Sequence, residues 1–140
     1  MKTTSSFFLL LLIFSLFSCS SKEEKMLKGR WEFEKLILPD NRVFTANDSS
    51  NLNAEKNYDF YPENMYLYES IQYIAGEGQL IVKRGKYEVN KEKEKIFLTL
   101  KEKQLEGSSV KVYQILTLDE GQLIWENQHK GRYFFKKTVE

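Results

Sequence analysis

The chain has 140 residues, 21 of them Lys or Arg and 20 Asp or Glu, for a formal charge of +1. That balance supplies no global attraction to nucleic acid or to an anionic membrane surface, and the length suits one domain with one core. One cysteine and one histidine exclude an intramolecular disulfide framework, a Cys-based zinc site and any His-rich metal constellation.

Met1-Lys2 is a short positive start, and Phe7 to Phe17 (FFLLLLIFSLF) is apolar apart from Ser15. The run falls short of the roughly 20 residues that a permanent membrane-spanning helix needs. Its layout predicts a cleavable secretory signal over residues 1–18. Without it the charges balance, because Lys2 is the only charge it carries. The segment ends in Leu16-Phe17-Ser18-Cys19, which resembles a bacterial lipobox. The resemblance implies a cut before Cys19, diacylation of its thiol and acylation of the new amine, with chains of the palmitate kind. Each buried methylene contributes about 0.8 kcal/mol, so several chains hold a protein on a membrane. Residues 19–26 then read as lipidated cysteine and tether. Ser20 to Glu24 (SSKEE) is similar to the acidic stretch of Gram-negative lipoproteins exported to the cell surface. The expectation is outer-membrane attachment facing outward, with the periplasmic face as the alternative.

Residues 27–140 predict an all-β domain. Arg30 to Leu38 alternates, with Trp31, Phe33 and Ile37 on one side and Glu32 and Glu34 on the other, the period of a half-buried strand. Pro39 to Lys56 is long, polar and rich in Asn, Asp and Ser; connections of this length are usually functional loops or disordered ones, and Arg42-Val43-Phe44 is expected to extend a short strand within it. Tyr58 to Tyr61 meets the turn Pro62-Glu63-Asn64. Met65 to Ala75 follows, then Gln79 to Val89, where Gly85 suggests a bulge or bend. Lys95 to Lys101, Val110 to Leu118, Gln122 to Trp125 and Arg132 to Lys137 complete eight strands. Helical character is confined to a turn at Glu24 to Leu27. The even spacing fits an eight-stranded antiparallel up-and-down barrel, with a two-layer β-sandwich as the alternative. Leu80, Val82, Tyr87, Val89, Ile96, Leu98, Leu100, Val110, Val112, Leu116, Leu118, Leu123 and Trp125 are the expected filling. Several of these strands are short, which favours a shallow cup over a deep calyx.

Gly29-Arg30-Trp31 opens the first strand, and the domain resembles the lipocalin-like lipoprotein domains that begin with Gly-x-Trp. The resemblance implies that Gly29 bends the chain beneath the barrel, that Trp31 plugs its closed end, and that a basic residue of the last strand, Arg132 or Lys137, stacks on the indole.

For catalysis the motifs are missing: no Gly-x-Ser-x-Gly elbow, P-loop, Gly-x-Gly-x-x-Gly or His-Glu-x-x-His occurs. His129 lies in the polar connection Asn127 to Lys130 and reads as a solvated turn residue. Asp40-Asn41 and Asn47-Asp48 lack the spacing and glycine of a calcium loop and read as side chains bonding their own backbone. No metal, cofactor or catalytic residue is therefore expected; in an enzyme, Glu69, Arg84 and His129 would be the first titratable groups to inspect. The informative excess is aromatic. Tyr61, Tyr66, Tyr68 and Tyr73 lie on neighbouring strands, and tyrosine joins an apolar body to a polar tip, which suits a pocket mouth or an interface. The combined reading is a non-catalytic outer-membrane lipoprotein, anchored by its N-terminal lipid, that binds a small hydrophobic or amphipathic ligand. The alternative is an accessory subunit with a filled barrel, docking an envelope protein.

Overall fold

The computed structural model describes residues 20–46, 57–104 and 107–139, the side chains at 72–74 and 104 excepted. Cys19, the leader and residues 47–56 lie outside this range. Ser21 accepts a hydrogen bond from the Glu24 amide at 3.2 Å and so caps helix α1, Lys22–Leu27. The helical turn expected at Glu24 to Leu27 thus begins within the stretch read as tether, because the cap satisfies its first turn and Leu27 is fully buried.

Strands β1 (Gly29–Ile37), β2 (Val43–Thr45), β3 (Asn57–Tyr61), β4 (Met65–Ile74), β5 (Glu77–Glu92), β6 (Lys95–Gln104), β7 (Gly107–Leu118), β8 (Gln122–Glu126) and β9 (Arg132–Lys137) follow. From β3 to β9 each strand pairs antiparallel with the next, and β1 pairs with both β3 and β9. The sheet closes on itself as an eight-stranded antiparallel barrel, which leaves no long edge exposed. Strand β2 is an accessory. It pairs with Lys35 to Ile37 of β1 on the edge that β3 occupies beside Gly29 to Glu32, so β2 and β3 share one place in the barrel. A tight turn joins β1 to β2: the Leu38 amide donates to the Arg42 carbonyl, and Asn41 adopts a positive φ of 67°.

Inside, aromatic rings fill the half nearer α1. Tyr58 is the hub, with Trp125 at 5.0 Å, Tyr68 at 5.5 Å, Phe135 at 5.7 Å and Phe60 at 6.0 Å between ring centroids. Of the expected filling, Tyr87, Leu98, Leu100, Leu123 and Trp125 are buried, whereas Leu80, Val82, Val110, Val112 and Leu116 face solvent, Leu80 at 64% exposure. Parity explains this. Tyr87 and Val89 turn inward, so every odd-numbered residue of β5 back to Ile81 does too, and the even-numbered Leu80 and Val82 must point out. On β7 the inward Tyr113 and Ile115 force Val110 and Val112 out, and Leu116 sits where the register shifts between Ile115 and Thr117.

Two further expectations are corrected. Gly85 makes no bulge, since its register to Tyr66 and to Glu102 is continuous. It marks a close approach instead: a Cβ there would lie 2.2 Å from the Lys101 carbonyl oxygen and 2.8 Å from the Tyr66 ring. The strands are also longer than expected, 16 residues in β5 and 12 in β7.

Candidate functional site

The two ends of the barrel differ. At one end the chain leaves α1 through Gly29, whose φ of +114° only glycine adopts readily, and turns into β1. Trp31 then points inward with no exposed surface. Its indole N–H donates to the Leu27 carbonyl at 2.7 Å. Lys137 lies over the ring, its Nζ 5.0 Å from the centroid, and donates to the Met26 carbonyl at 3.0 Å. The partner on the indole is thus Lys137; Arg132 pairs with Ile37 at the far end of β9 and is exposed. The Lys91–Glu23 ion pair, 2.6 Å, ties α1 to the β5–β6 hairpin. Tyr87 faces inward here, and burial, then the Glu24 carboxylate, pushes its hydroxyl pKa up. This end is shut.

At the other end inward-facing side chains change character. Tyr68 of β4 lies across from Lys83 of β5, and Glu102 of β6 accepts an ion pair from Lys83 at 3.2 Å. Lys111 of β7 joins them. The Lys83 and Lys111 ammonium groups stand 5.8 and 5.4 Å from the centroid of the one Tyr68 ring. Glu102 is buried, while Lys83 keeps 38% of its side chain accessible. Burial opposes the charge on Lys83, but the Glu102 hydrogen bond and the nearby Tyr68 and Glu102 outweigh it, and its pKa rises above the ordinary lysine value. Beneath, Tyr113 stacks on Trp125 at 4.8 Å. The Trp125 indole N–H is buried with no acceptor among the described residues. The arrangement offers two ammonium groups, a carboxylate and an aromatic floor in one inward-facing layer.

Of the four tyrosines singled out in the sequence, Tyr66 and Tyr68 come together inside the barrel, at 3% and 8% exposure. Tyr61 points outward and is exposed. The Tyr73 side chain lies outside the described residues. The titratable groups worth inspecting do not converge. Glu69 lies on the outer wall, bonded to Arg30 at 2.8 Å, Arg84 is exposed on that same wall, and His129 sits in an exposed turn. Among the described residues no three His, Cys, Asp or Glu side chains cluster as metal ligands. Asp40 bonds its own turn, accepting from the Arg42 amide and side chain. Lys83, Glu102 and Lys111 escaped sequence reasoning, although a signal existed: each sits at the parity of its strand's buried residues.

A depression of about 360 Å³ is lined by Met65, Gly85, Glu102, Ser108 and the basic Arg84, Lys86, Lys101 and Lys103, and another of about 590 Å³ by Glu92, Lys93, Glu94, Lys95 and Phe97. Leu80, Val82, Val110 and Val112 are exposed on the outer face of the strands.

No family model matches the chain, and no curated protein does. Solved structures do. A lipocalin-like protein from Bacteroides uniformis superposes with a TM-score of 0.53 at 16% identity, over 81% of this chain and 99% of its own. An uncharacterized protein from Bacteroides eggerthii gives a TM-score of 0.54 at 14% identity, over 80% and 99%. At such identities the likeness is one of fold: the barrel is lipocalin-like.

Proposed function

We propose that this chain is a non-catalytic carrier or sensor that takes a small amphipathic molecule into the open end of its barrel. The observation that carries the reading is the asymmetry of the interior. Rings fill the half beside Trp31, whereas Tyr68, Lys83, Glu102 and Lys111 face inward at the other end. A lipocalin-like fold supports it, since eight-stranded barrels of this width hold either side chains or one small ligand. The ligand sits high in the barrel, with its apolar part on the aromatic floor. We further propose that Cys19 carries the lipid that holds the protein on the outer membrane, facing outward. Cys19→Ser is expected to move the protein from the membrane fraction to the soluble one with its β-structure intact; continued membrane attachment would reject the anchor.

A second reading is an accessory subunit that docks an envelope protein. It is favoured by the aliphatic side chains that the longest strands turn outward, Leu80, Val82, Val110 and Val112. Native mass spectrometry of the full chain purified gently from its own cells separates the two. The carrier reading expects a bound small mass, beyond any covalent lipid, that disappears on denaturation. A clean apo mass with a folded β spectrum would transfer the assignment to the accessory subunit.

A further inference from the structure

We infer that the outer wall of β3 to β7, at the level of Lys86 and Lys101, is a docking face for a membrane surface rich in anionic phosphate head groups. The inference goes beyond the carrier reading and stands whether or not Cys19 carries a lipid.

Cross-strand register builds the face. Tyr61 pairs with Met65, Met65 with Lys86, Lys86 with Lys101, and Lys101 with Val110. Five side chains thus form one row across five strands, and all five are exposed. Arg84 and Lys103 stand two residues along β5 and β6, hence on the same side of the sheet, and are exposed too. Four cations gather here in a chain whose formal charge is only +1. Lys86 and Lys101 lie directly opposite each other, a like-charge pair that works against the sheet and that an external anion relieves. The carboxylates Glu88 and Glu69 on this wall are already engaged, by Lys101 at 2.9 Å and by Arg30 at 2.8 Å. Glu102, which also lines the depression, pairs with Lys83 at 3.2 Å. Arg84, Lys86 and Lys103 have no carboxylate partner among the described residues.

The apolar members of the row select the kind of anion. Among the cations lies the depression of about 360 Å³, its lining carbon almost throughout, as expected where long basic side chains lay their methylene stems along a surface and keep their charged ends in water. Tyr61 and Met65 flank the lysine pair on one side and Val110 on the other. Aromatic and aliphatic side chains set among basic ones are the composition of a surface that rests in a head-group layer. Protein–protein interfaces, by contrast, are depleted in lysine, and three of these four cations are lysines. Each basic residue near an anionic surface tightens binding about five-fold. Where a lipid already holds the chain at a membrane, so modest a contact suffices to set which wall lies down.

The test is flotation of the full chain carrying Cys19→Ser, so that no covalent lipid contributes, with vesicles of phosphatidylcholine alone or of phosphatidylcholine and phosphatidylglycerol in equal parts. Binding to the anionic vesicles is expected to be tighter and to weaken as salt is raised. Combining Arg84→Gln, Lys86→Gln and Lys103→Gln removes three exposed charges and should weaken it on the order of 100-fold, with the β spectrum and melting temperature unchanged. Lys93→Gln, Lys95→Gln and Lys136→Gln together remove the same charge elsewhere on the surface and should leave most of the preference in place. Met65→Gln with Val110→Thr keeps the charge and should weaken binding to the anionic vesicles about three- to ten-fold. Equal binding to the two vesicles, binding to neither, or equal losses in the two triple variants overturns the docking face. No loss in Met65→Gln with Val110→Thr overturns the lipid assignment, because a face held by charge alone suits an acidic protein as well. The anchor and carrier readings keep their own tests, membrane fractionation of Cys19→Ser and native mass spectrometry, so their failure is read separately.

Discussion

Both ends of this barrel place lysine ammonium groups over an aromatic ring, and the resemblance stops there. At the closed end one lysine, Lys137, covers Trp31, and its ammonium donates to the Met26 carbonyl of α1. Backbone supplies the acceptor, the helix supplies the lid, and Leu27 fills what remains. At the other end two lysines lie near Tyr68, and Glu102 stands beside Lys83 as a side-chain acceptor. A cation held by backbone is locked by the fold itself. A cation held by a side-chain carboxylate is fixed only as firmly as that side chain, because one acceptor of like charge can stand in for another.

The comparison breaks most directly at Trp31. Trp31→Ala removes a fully buried ring that also holds α1 through Leu27, and the loss in a denaturant melt is expected at about 3–5 kcal/mol, a large share of a domain's usual margin. A loss below about 1 kcal/mol would deny Trp31 the role of plug. Next in size is Lys137→Met, which keeps the aliphatic cover over the indole while deleting the charge. The expected loss is about 0.5–2 kcal/mol, with no change in ligand affinity. A change in affinity instead would mean that the two ends are coupled.

Much of this fold was legible from alternation alone. Eight strands and the Pro62 turn follow from period two and turn chemistry; their even spacing suits a barrel or a sandwich, and the resemblance carried by Gly29 and Trp31 favours the barrel. What was not legible was which face of each strand turns inward at its far end. Leu80 and Val82 are as apolar as any core residue, yet they fall on the wrong parity relative to Tyr87, and no local property announces this. Gly85 was recognised as special but for the wrong cause, because the carbonyl of Lys101 that crowds it comes from a neighbouring strand. The identity of the lysine over Trp31 likewise depends on the β1–β9 register, which sets Lys137 rather than Arg132 opposite it. The cluster around Tyr68 was missed for a related reason. Lys83, Glu102 and Lys111 look like surface charges in a chain that is rich in them, and only the parity inherited from buried neighbours turns them inward.

A third kind of ion pair, on the outer wall, sharpens the contrast through pH. Arg30 of β1 bonds Asp59 of β3 at 3.0 Å and Glu69 of β4 at 2.8 Å, and Asn57 also donates to Glu69. The Arg30 hydrogen bond, aided by Asn57 and opposed by partial burial, holds the Glu69 carboxyl below the ordinary value of 4.5. A depressed carboxylate contributes its stability in full above the unfolded-state value. As pH falls below about 4.5 the unfolded chain takes up the proton first, and the contribution fades until the folded-state value is passed. Arg30 keeps 34% of its side chain in water, so screening limits the effect to under about 1 kcal/mol. Stability measured from pH 7 down to about pH 3 should therefore fall less steeply in Glu69→Gln than in the parent. Equal slopes would show that the pair contributes nothing to the fold.

The smallest effect is expected at Leu80, and its smallness is the point. Leu80 lies across from Ile71 on the outer face of the β4–β5 hairpin at 64% exposure, so Leu80→Lys removes little that is buried and should change stability by no more than about 0.5 kcal/mol. Leu100, at 2% exposure on the inward face of β6, provides the yardstick, because truncating a buried leucine to alanine costs about 2–5 kcal/mol. If Leu80→Lys costs as much as Leu100→Ala, then Leu80 is inside. The parity of β5 would then be reversed at its far end, and Lys83 would point to solvent rather than into the barrel. If instead the substitution is silent in the melt, Lys83 is fixed on the inward face. Leu80 is then an aliphatic side chain that the fold leaves in water without needing it for stability, which makes it the first position to examine for contact with an envelope partner.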